Sequence, residues 1–430
     1  MTSLKSPETV HFYEDYHTAF YRIYPCCTSC FALIYKETDI QIDTRGKHMK
    51  KEALLELVTV YRQDLHRIPE LDFDLNETGE YIKSKLKDLR CEITEVAKTG
   101  ICVFFDFGEK ETTAFRSDMD ALPITETTGA EYASNNEGRM HACGHDGHMA
   151  MLLGFAQILD EYKNEDPPRL FRRRRFDPLT NALLIFQPAE ETTGGARYIC
   201  EEGVLEKYNV KRIFGFHLWP YIDKSVIATR SGPMMAKSSE INVEIEGRTS
   251  HCTAYEEGID ALHIGCQFIN KVYNMPEVLP EAPSILKFGK MESGDVRNAI
   301  SSHTRIEGTL RCLDIETFDL IIAKMNEIAD IYNDAYSCSI YVTHTKGYPP
   351  VTNNYRLFSK ASSIFSDLGF RELEKPSMIA DDFAFYQQEV PGLFMYLGTG
   401  SGIPLHSADF NFDESILLTG IEAYRRLLKI

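Results

Sequence analysis

Positive charge is scarce in this sequence: 46 Lys and Arg stand against 64 Asp and Glu, which leaves 430 residues with a formal net charge of -18. Such a chain repels a phosphate backbone, and its one dense basic run, Arg172 to Arg175, is too short to make a nucleic-acid face. Long apolar runs are missing too. The longest, Cys30–Tyr35 and Met149–Phe155, fall far short of the roughly 20 residues that a bilayer span needs. Residues 1–22 lack a basic start followed by an apolar core, so no secretory signal is expected and the predicted location is the cytoplasm. No internal repeat or low-complexity linker is visible. The 11 cysteines are odd in number and scattered, and in a reducing compartment they read as buried thiols or metal ligands, not disulfides.

What remains is a globular balance, 43% hydrophobic and 26% charged, at a length that suggests two or three domains of roughly 100–200 residues each. Leu54, Leu55, Leu57, Val58, Tyr61 and Leu65 recur at helical spacing until Pro69. A second helix is predicted from Glu77 to Leu89, followed by strands at Cys91–Glu95, Gly100–Phe107 and Thr112–Arg116. Met149–Leu159 reads as a buried helix, and Ala182–Phe186 and Arg212–Phe216 as buried strands, which together give an α/β layer structure. The pattern changes around Ser231–Lys237. Alternation at Glu240–Glu246, Ser284–Lys290 and Ser302–Arg311, with helices at Ala261–Tyr273 and Glu316–Tyr336, makes a βαββαβ, ferredoxin-like block. After Tyr348-Pro349-Pro350, helix and strand resume and close with an amphipathic helix from Glu414 to Lys429. The predicted organisation is therefore an α+β insertion, residues 235–345, between two parts of one main domain, 49–234 and 346–430. Residues 1–48, with Cys26, Cys27, Cys30 and no periodicity, read as an appended arm in preference to a metal-binding Cys27-x-x-Cys30.

Ligand-type side chains concentrate between Met140 and His148, where His141, Cys143, His145, Asp146 and His148 precede the apolar helix. Thiolate and imidazole in one loop suit Zn²⁺ or a similar transition ion, and Asp146 is placed to cap the helix. Phe186-Gln187-Pro188-Ala189-Glu190-Glu191 sets two acids at a strand end. Neighbours in an extended segment point opposite ways, so one acid can hold metal while the other serves as general base; a solvated acidic pair opening a helix is the plainer alternative. His217, beside the single Trp219, and His406 also follow apolar strands. Cys143, His145, Glu191, His217 and His406 make a set too large for a closed structural site and large enough for two ions sharing a bridge.

Taken in order, Arg116-Ser117-Asp118-Met119-Asp120-Ala121-Leu122-Pro123, His141–His148, Phe186–Glu191, His217-x-x-Pro220, Gly308-Thr309-Leu310-Arg311 and Pro404–His406 resemble the amidohydrolase branch of the aminoacylase/carboxypeptidase metallopeptidases. That branch includes hippurate, auxin-conjugate and N-acyl-amino-acid hydrolases. The resemblance runs from about Glu52 to Leu428. It implies a zinc-peptidase-like main domain, with the insertion as a lid that builds a homodimer. It implies that Cys143 bridges two divalent ions held also by His145, Glu191, His217 and His406, and that Glu190 is general base and acid. Asp118 and Asp120 would orient ligands, His251 would polarise the substrate carbonyl, often across the dimer, and Asn298 or Arg311 would hold the substrate carboxylate. The implied reaction splits an N-acyl-amino acid into a carboxylate and a free amino acid. Zinc is the default ion, with manganese, cobalt and nickel compatible. N-acetyl-diaminopimelate deacetylation and dipeptide cleavage are the neighbouring activities, and a silent metal-stabilised binding protein is the reading of a different class. The chain departs from the family pattern at Tyr255, where a proline is usual, at Asp381-Asp382-Phe383, where Glu-Asp-Phe is usual, and in the long basic link 162–181.

Overall fold

In the computed structural model, which describes residues 49–164, 180–275 and 283–430, the helical spacing ahead of Pro69 forms α1 (Lys51–His66), burying Leu54, Val58, Tyr61 and Leu65. The predicted arm with Cys27-x-x-Cys30, and the Arg172–Arg175 run, lie outside the described residues. Then come α2 (Asn76–Leu86), β1 (Glu92–Val96), β2 (Gly100–Phe105), β3 (Thr112–Asp118), α3 (His145–Asn164), β4 (Asn181–Gln187), α4 (Gly195–Glu201), α5 (Val204–Lys207), β5 (Val210–Trp219) and β6 (Ile227–Thr229). After β7 (Gly232–Met235), the chain makes β8 (Lys237–Glu246), α6 (Ala261–Tyr273), β9 (Ser284–Ser293), β10 (His303–Cys312), α7 (Ile315–Tyr336) and β11 (Ser339–His344). It closes with β12 (Val351–Asn353), α8 (Tyr355–Ile364), β13 (Phe370–Glu372), α9 (Ala384–Glu389), β14 (Gly392–Gly398) and α10 (Leu417–Leu427).

The fold class is α/β, as the alternation of elements predicts. Eight strands form one mixed sheet in the order β1-β2-β4-β3-β5-β14-β6-β13, with β4, β3, β5 and β14 mutually parallel at its centre. Both faces are covered, so β4 is buried throughout and apolar from Ala182 to Phe186: Leu184 and Phe186 enter one core with α1, α3 and α10, while Leu183 and Ile185 enter the other with α4 and α9. A second sheet, ordered β11-β8-β10-β9 and antiparallel throughout, carries α6 and α7 on one face in βαββαβ topology. Strict alternation in β8 buries Ile241, Val243 and Ile245 against Phe268, Phe318 and Met325. The chain passes between the sheets twice, and the two passages pair as β7 and β12. No described helix is long and apolar enough to cross a membrane.

Three local expectations change. The strand expected at Arg212–Phe216 runs on to Trp219, because β14 pairs with it as far as Gly398, so His217 interrupts the apolar run without breaking the ladder. The last helix is split by a 3₁₀ turn at Glu414–Ile416. Asp146 is not the helix cap: α3 starts at His145, and the Asp146 carboxylate sits inside the first turn, occupied by distant partners. Arg62 Nε donates to Asp146 Oδ2 at 2.9 Å, and His66 Nδ1 lies 2.7 Å from the same oxygen. Arg62 also reaches Tyr132, Glu414 and Asn411 and lies between the rings of Tyr132 and Phe412, at 4.8 and 4.4 Å. Burial alone would raise the Asp146 carboxyl, but Arg62 and His66 hold it well below the usual range. One guanidinium thus joins α1, α3 and the segment before α10. Replacing it by Arg62→Met, which leaves Asp146 buried without its cation, is expected to lower the unfolding free energy by about 3–5 kcal/mol, read as a lower urea midpoint at unchanged slope.

Candidate metal centre

The parallel strands β3, β4, β5 and β14 deliver their carboxyl ends to one edge of the main sheet, the edge at which open α/β sheets hold ligands. β3 ends on Asp118, and Asp120 follows two residues later. β4 ends on Gln187, and the chain then turns through Ala189, whose φ of 55° is an uncommon left-handed conformation for a side-chain-bearing residue. Gly194 N and Gly195 N close this turn on Ala189 O at 3.0 and 3.1 Å. Glu190 N and Glu191 N donate to the two oxygens of Asp120 at 2.9 and 3.0 Å, so one buried carboxylate sets the direction of both acids. They lie in a turn, not an extended segment, and still face different neighbours. Glu190 groups with Asp381 and Asp382 and Glu191 with Cys143 and His406, while both also group with His145.

Cys143 precedes α3, His145 opens it, His217 lies near the end of β5, and His406, with its N bonded to Ala142 O at 2.9 Å, follows β14. Cys143 Sγ is 3.3 Å from His217 Nε2, and Glu191 Oε1 is 3.3 Å from His406 Nε2 and 3.8 Å from His145 Nε2. Among the described residues five groups of three donors have their ligand atoms within 4.8 Å of one another, and two of them, Cys143/His145/His217 and Cys143/Glu191/His406, share Cys143. His145 Nδ1 is fixed 2.7 Å from Asp120 O, and His217 Nδ1 2.7 Å from Leu218 O, which turns each Nε2 inward with a free lone pair. Burial keeps His145 low and presses His217 down to about 3. Burial, then Glu191 and Glu190, push the Cys143 thiol well up. His145 Nε2 and Glu191 Oε1 are buried without a hydrogen-bond partner. Converging orphan atoms of this kind, beside a thiol, fit a borderline-soft divalent cation.

Behind the donors, Asp118, expected from the resemblance to orient a ligand, is joined by Arg116, Gln187 and Asp382, to which the sequence reading gave no role. Arg116, fully buried, donates from Nε to Gln187 Oε1 at 2.9 Å, from Nη1 to Asp118 Oδ2 at 2.7 Å and from Nη2 to Asp382 Oδ1 at 2.8 Å. Asp118 Oδ1 is 2.6 Å from His148 Nδ1, and His148 Nε2 accepts from Leu218 N at 2.9 Å, so both His148 nitrogens are used. The available signal was the charged Arg116-Ser117-Asp118 end of a strand that is buried along its whole length. Burial, followed by Asp381 and Glu191, raises the Glu190 carboxyl well above its usual range. Burial opposes ionisation of Glu191 as well, but His406 and His145 bring it below. Asp382 is pushed up to about 7 by burial against the pull of Arg116.

A cleft of about 790 Å³ opens over this centre, with Cys143, Glu190, Glu191, His217 and His406 on its floor. Ser238, Glu240, Arg311 and Thr345 of the second sheet form its far wall, where Arg311 Nη1 bonds Met378 O at 3.1 Å. Trp219, stacked on Tyr396 at 4.3 Å, and Tyr221 form an aromatic side. His251 and Asn298 are not among the residues lining it. They are exposed neighbours in the second block, joined where Cys252 N donates to Asn298 O at 3.1 Å, and His251 Nδ1 is 2.8 Å from Thr253 Oγ1. Asp381 is buried in the cleft wall, whereas Tyr255 is 64% exposed.

Comparison with known proteins gives a concordant result. Residues 114–430 match the profile of peptidase family M20/M25/M40. An uncharacterised hydrolase of Staphylococcus epidermidis is 32% identical over 386 residues, covering 87% of this chain and 98% of the relative. The Bacillus subtilis YxeP protein, a dinuclear metal-binding peptidase of the M20 family, superposes with a TM-score of 0.76 at 29% identity, over 88% of this chain and 98% of that one. A candidate aminohydrolase of methicillin-resistant Staphylococcus aureus gives 0.80 at 28% identity, over 88% and 97%.

Asp120 provides a direct test of how the two acids are held. Asp120→Ala strands two amide groups at the turn and is expected to cost about 2–4 kcal/mol of stability, measured by urea unfolding of the metal-free protein.

Proposed function

The chain belongs to peptidase family M20/M25/M40 and is a metal-dependent hydrolase, and on that premise we propose that it cleaves the amide bond of N-acyl-amino acids to a carboxylate and a free amino acid. The observation that carries this reading is the pair of three-donor sets sharing Cys143, with Glu190 beside them on the floor of a cleft whose far wall presents Arg311.

Cys143, His145, Glu191, His217 and His406 would hold the two divalent ions, with Cys143 common to both donor sets; zinc is the default, with manganese, cobalt and nickel as alternatives. When bound, such ions polarise the scissile carbonyl and acidify water. Glu190, whose carboxyl is kept basic by burial and by Asp381, takes the proton of the attacking water and passes it to the leaving amine. Asp118 and Asp120 orient the donors, the first through His148 and Arg116, the second through His145 and the amides of both glutamates. Arg311 receives the substrate carboxylate. Residues 235–345 act as lid and dimerisation domain. His251 and Asn298, exposed outside the cleft of their own chain, serve the cleft of a second copy in the homodimer, where His251 donates to the carbonyl oxygen. The cytoplasm, where 11 cysteines stay reduced, is the compartment that suits this site.

Release of free amino acid is the decisive measurement, made with N-acetyl, N-benzoyl and longer N-acyl amino acids, N-acetyl-diaminopimelate and dipeptides, after chelation and after each metal is added back. Metal-restored release from N-acyl-amino acids is expected, falling about 10²–10⁴-fold in Glu190→Gln. Release from dipeptides alone would move the assignment to a dipeptidase, and no release from anything would leave a silent binding protein. Cys143 must lose its proton to serve as ligand, so Zn²⁺ uptake near pH 7 is expected to release a proton. Calorimetry in two buffers of different ionisation enthalpy reads that proton, and Cys143→Ser should abolish it.

A further inference from the structure

Tyr348 belongs to the Tyr348-Pro349-Pro350 segment, where the chain returns from the second sheet to the first, and the reaction outlined above leaves it without a role. Its hydroxyl donates to Glu190 O at 2.7 Å and lies 3.2 Å from Thr192 O. Among the described residues no other donor reaches either carbonyl. The Glu190 peptide is therefore gripped from two sides, by Asp120 on its N–H and by Tyr348 on its C=O. The first grip comes from the main sheet. The second comes from the passage to the other sheet, because Tyr348 pairs with Ser238 at the start of β8 through Tyr348 N to Ser238 O at 3.0 Å and Ser238 N to Tyr348 O at 3.2 Å.

Two glycines show that this seat is close-fitting. A Cβ on Gly347 would stand 1.8 Å from Ser238 O, and one on Gly194, at the end of the glutamate turn, would stand 2.9 Å from the Tyr348 ring. Both have left-handed backbones, with φ of 57° and 79°. A side chain at Gly194 would push the ring and the turn apart, and one at Gly347 would push the Tyr348 segment off Ser238.

We propose that Tyr348 is a positioning residue that transmits the attitude of the second sheet to Glu190, so that the proton-moving carboxylate is in register when the far wall of the cleft is in place. This rests on the role given to Glu190 above. A displacement on the ångström scale at such a group suffices for a large loss of rate.

Tyr348→Phe removes the hydroxyl and keeps the ring. Expected are a fall in kcat of about tenfold or more on the best substrate of the panel, KM within about twofold, unchanged metal content, and an unchanged absorption spectrum of the cobalt-loaded protein. Hydrogen–deuterium exchange should speed up at residues 190–195 and stay as in the wild type in β3 and β4. Unchanged exchange at 190–195, or protection lost uniformly with a lowered melting temperature, would overturn the proposal. If the wild-type protein hydrolyses nothing in the panel, the functional reading fails, and the exchange measurement still decides the role of Tyr348.

Discussion

A guanidinium with no access to water sits beneath the candidate centre, and most of the local geometry follows from keeping it neutralised. A buried cation is tolerated only when its donors are fully met. Arg116 meets this condition by drawing together Gln187 from β4, Asp118 from its own strand and Asp382 from the segment before α9. Asp382 also accepts from Ala196 N at 3.0 Å, so α4, which follows the two glutamates, is tied to the same charge. Asp118 in turn fixes His148, and His148 holds the backbone of β5 beside His217. One charge thus sets the spacing of three strands and a helix around the donors.

The surroundings sort the acids. Burial would raise Asp118, but His145, Arg116 and His148 hold it well below the usual carboxylate range, whereas Glu190 is driven up by burial and by Asp381 against the pull of Arg116. Two adjacent glutamates end with opposed tendencies because one faces imidazoles and the other faces carboxylates. A chain carrying a formal charge of -18 concentrates acids at its centre without repelling itself apart, since buried cations and imidazoles lie between them.

Much of this was readable in the sequence, because periodicity reports burial. The alternation in β8, the apolar run of β4, and α6, predicted and found at Ala261–Tyr273, all follow from residues meeting one core or two. Cys143, His145, Glu191, His217 and His406 stand out only as a set, since each read singly, the acidic pair above all, has a plainer alternative; the structure brings their donor atoms together. What did not show were partnerships between residues far apart in sequence. Asp146 looks like a cap until Arg62, 84 positions earlier, claims its carboxylate. Arg116 looks like part of a motif until Asp382, 266 positions later, explains its burial. His251 and Asn298 carry no local signal that would separate a turn from a substrate contact, and within one chain they stay outside the cleft.

The donors come from widely separated places: the loop before α3, the turn after β4, the end of β5 and the segment beyond β14. No local stretch can assemble either three-atom set completely, since one needs β5 in place and the other needs His406. The parallel pairings of β3, β4, β5 and β14 are likewise non-local, which makes folding slow and strongly dependent on loop closure. During synthesis the early segments leave the ribosome well before the last donor exists. The Cys143/Glu191/His406 set is therefore incomplete until the last strand, β14, has docked and brought His406 alongside.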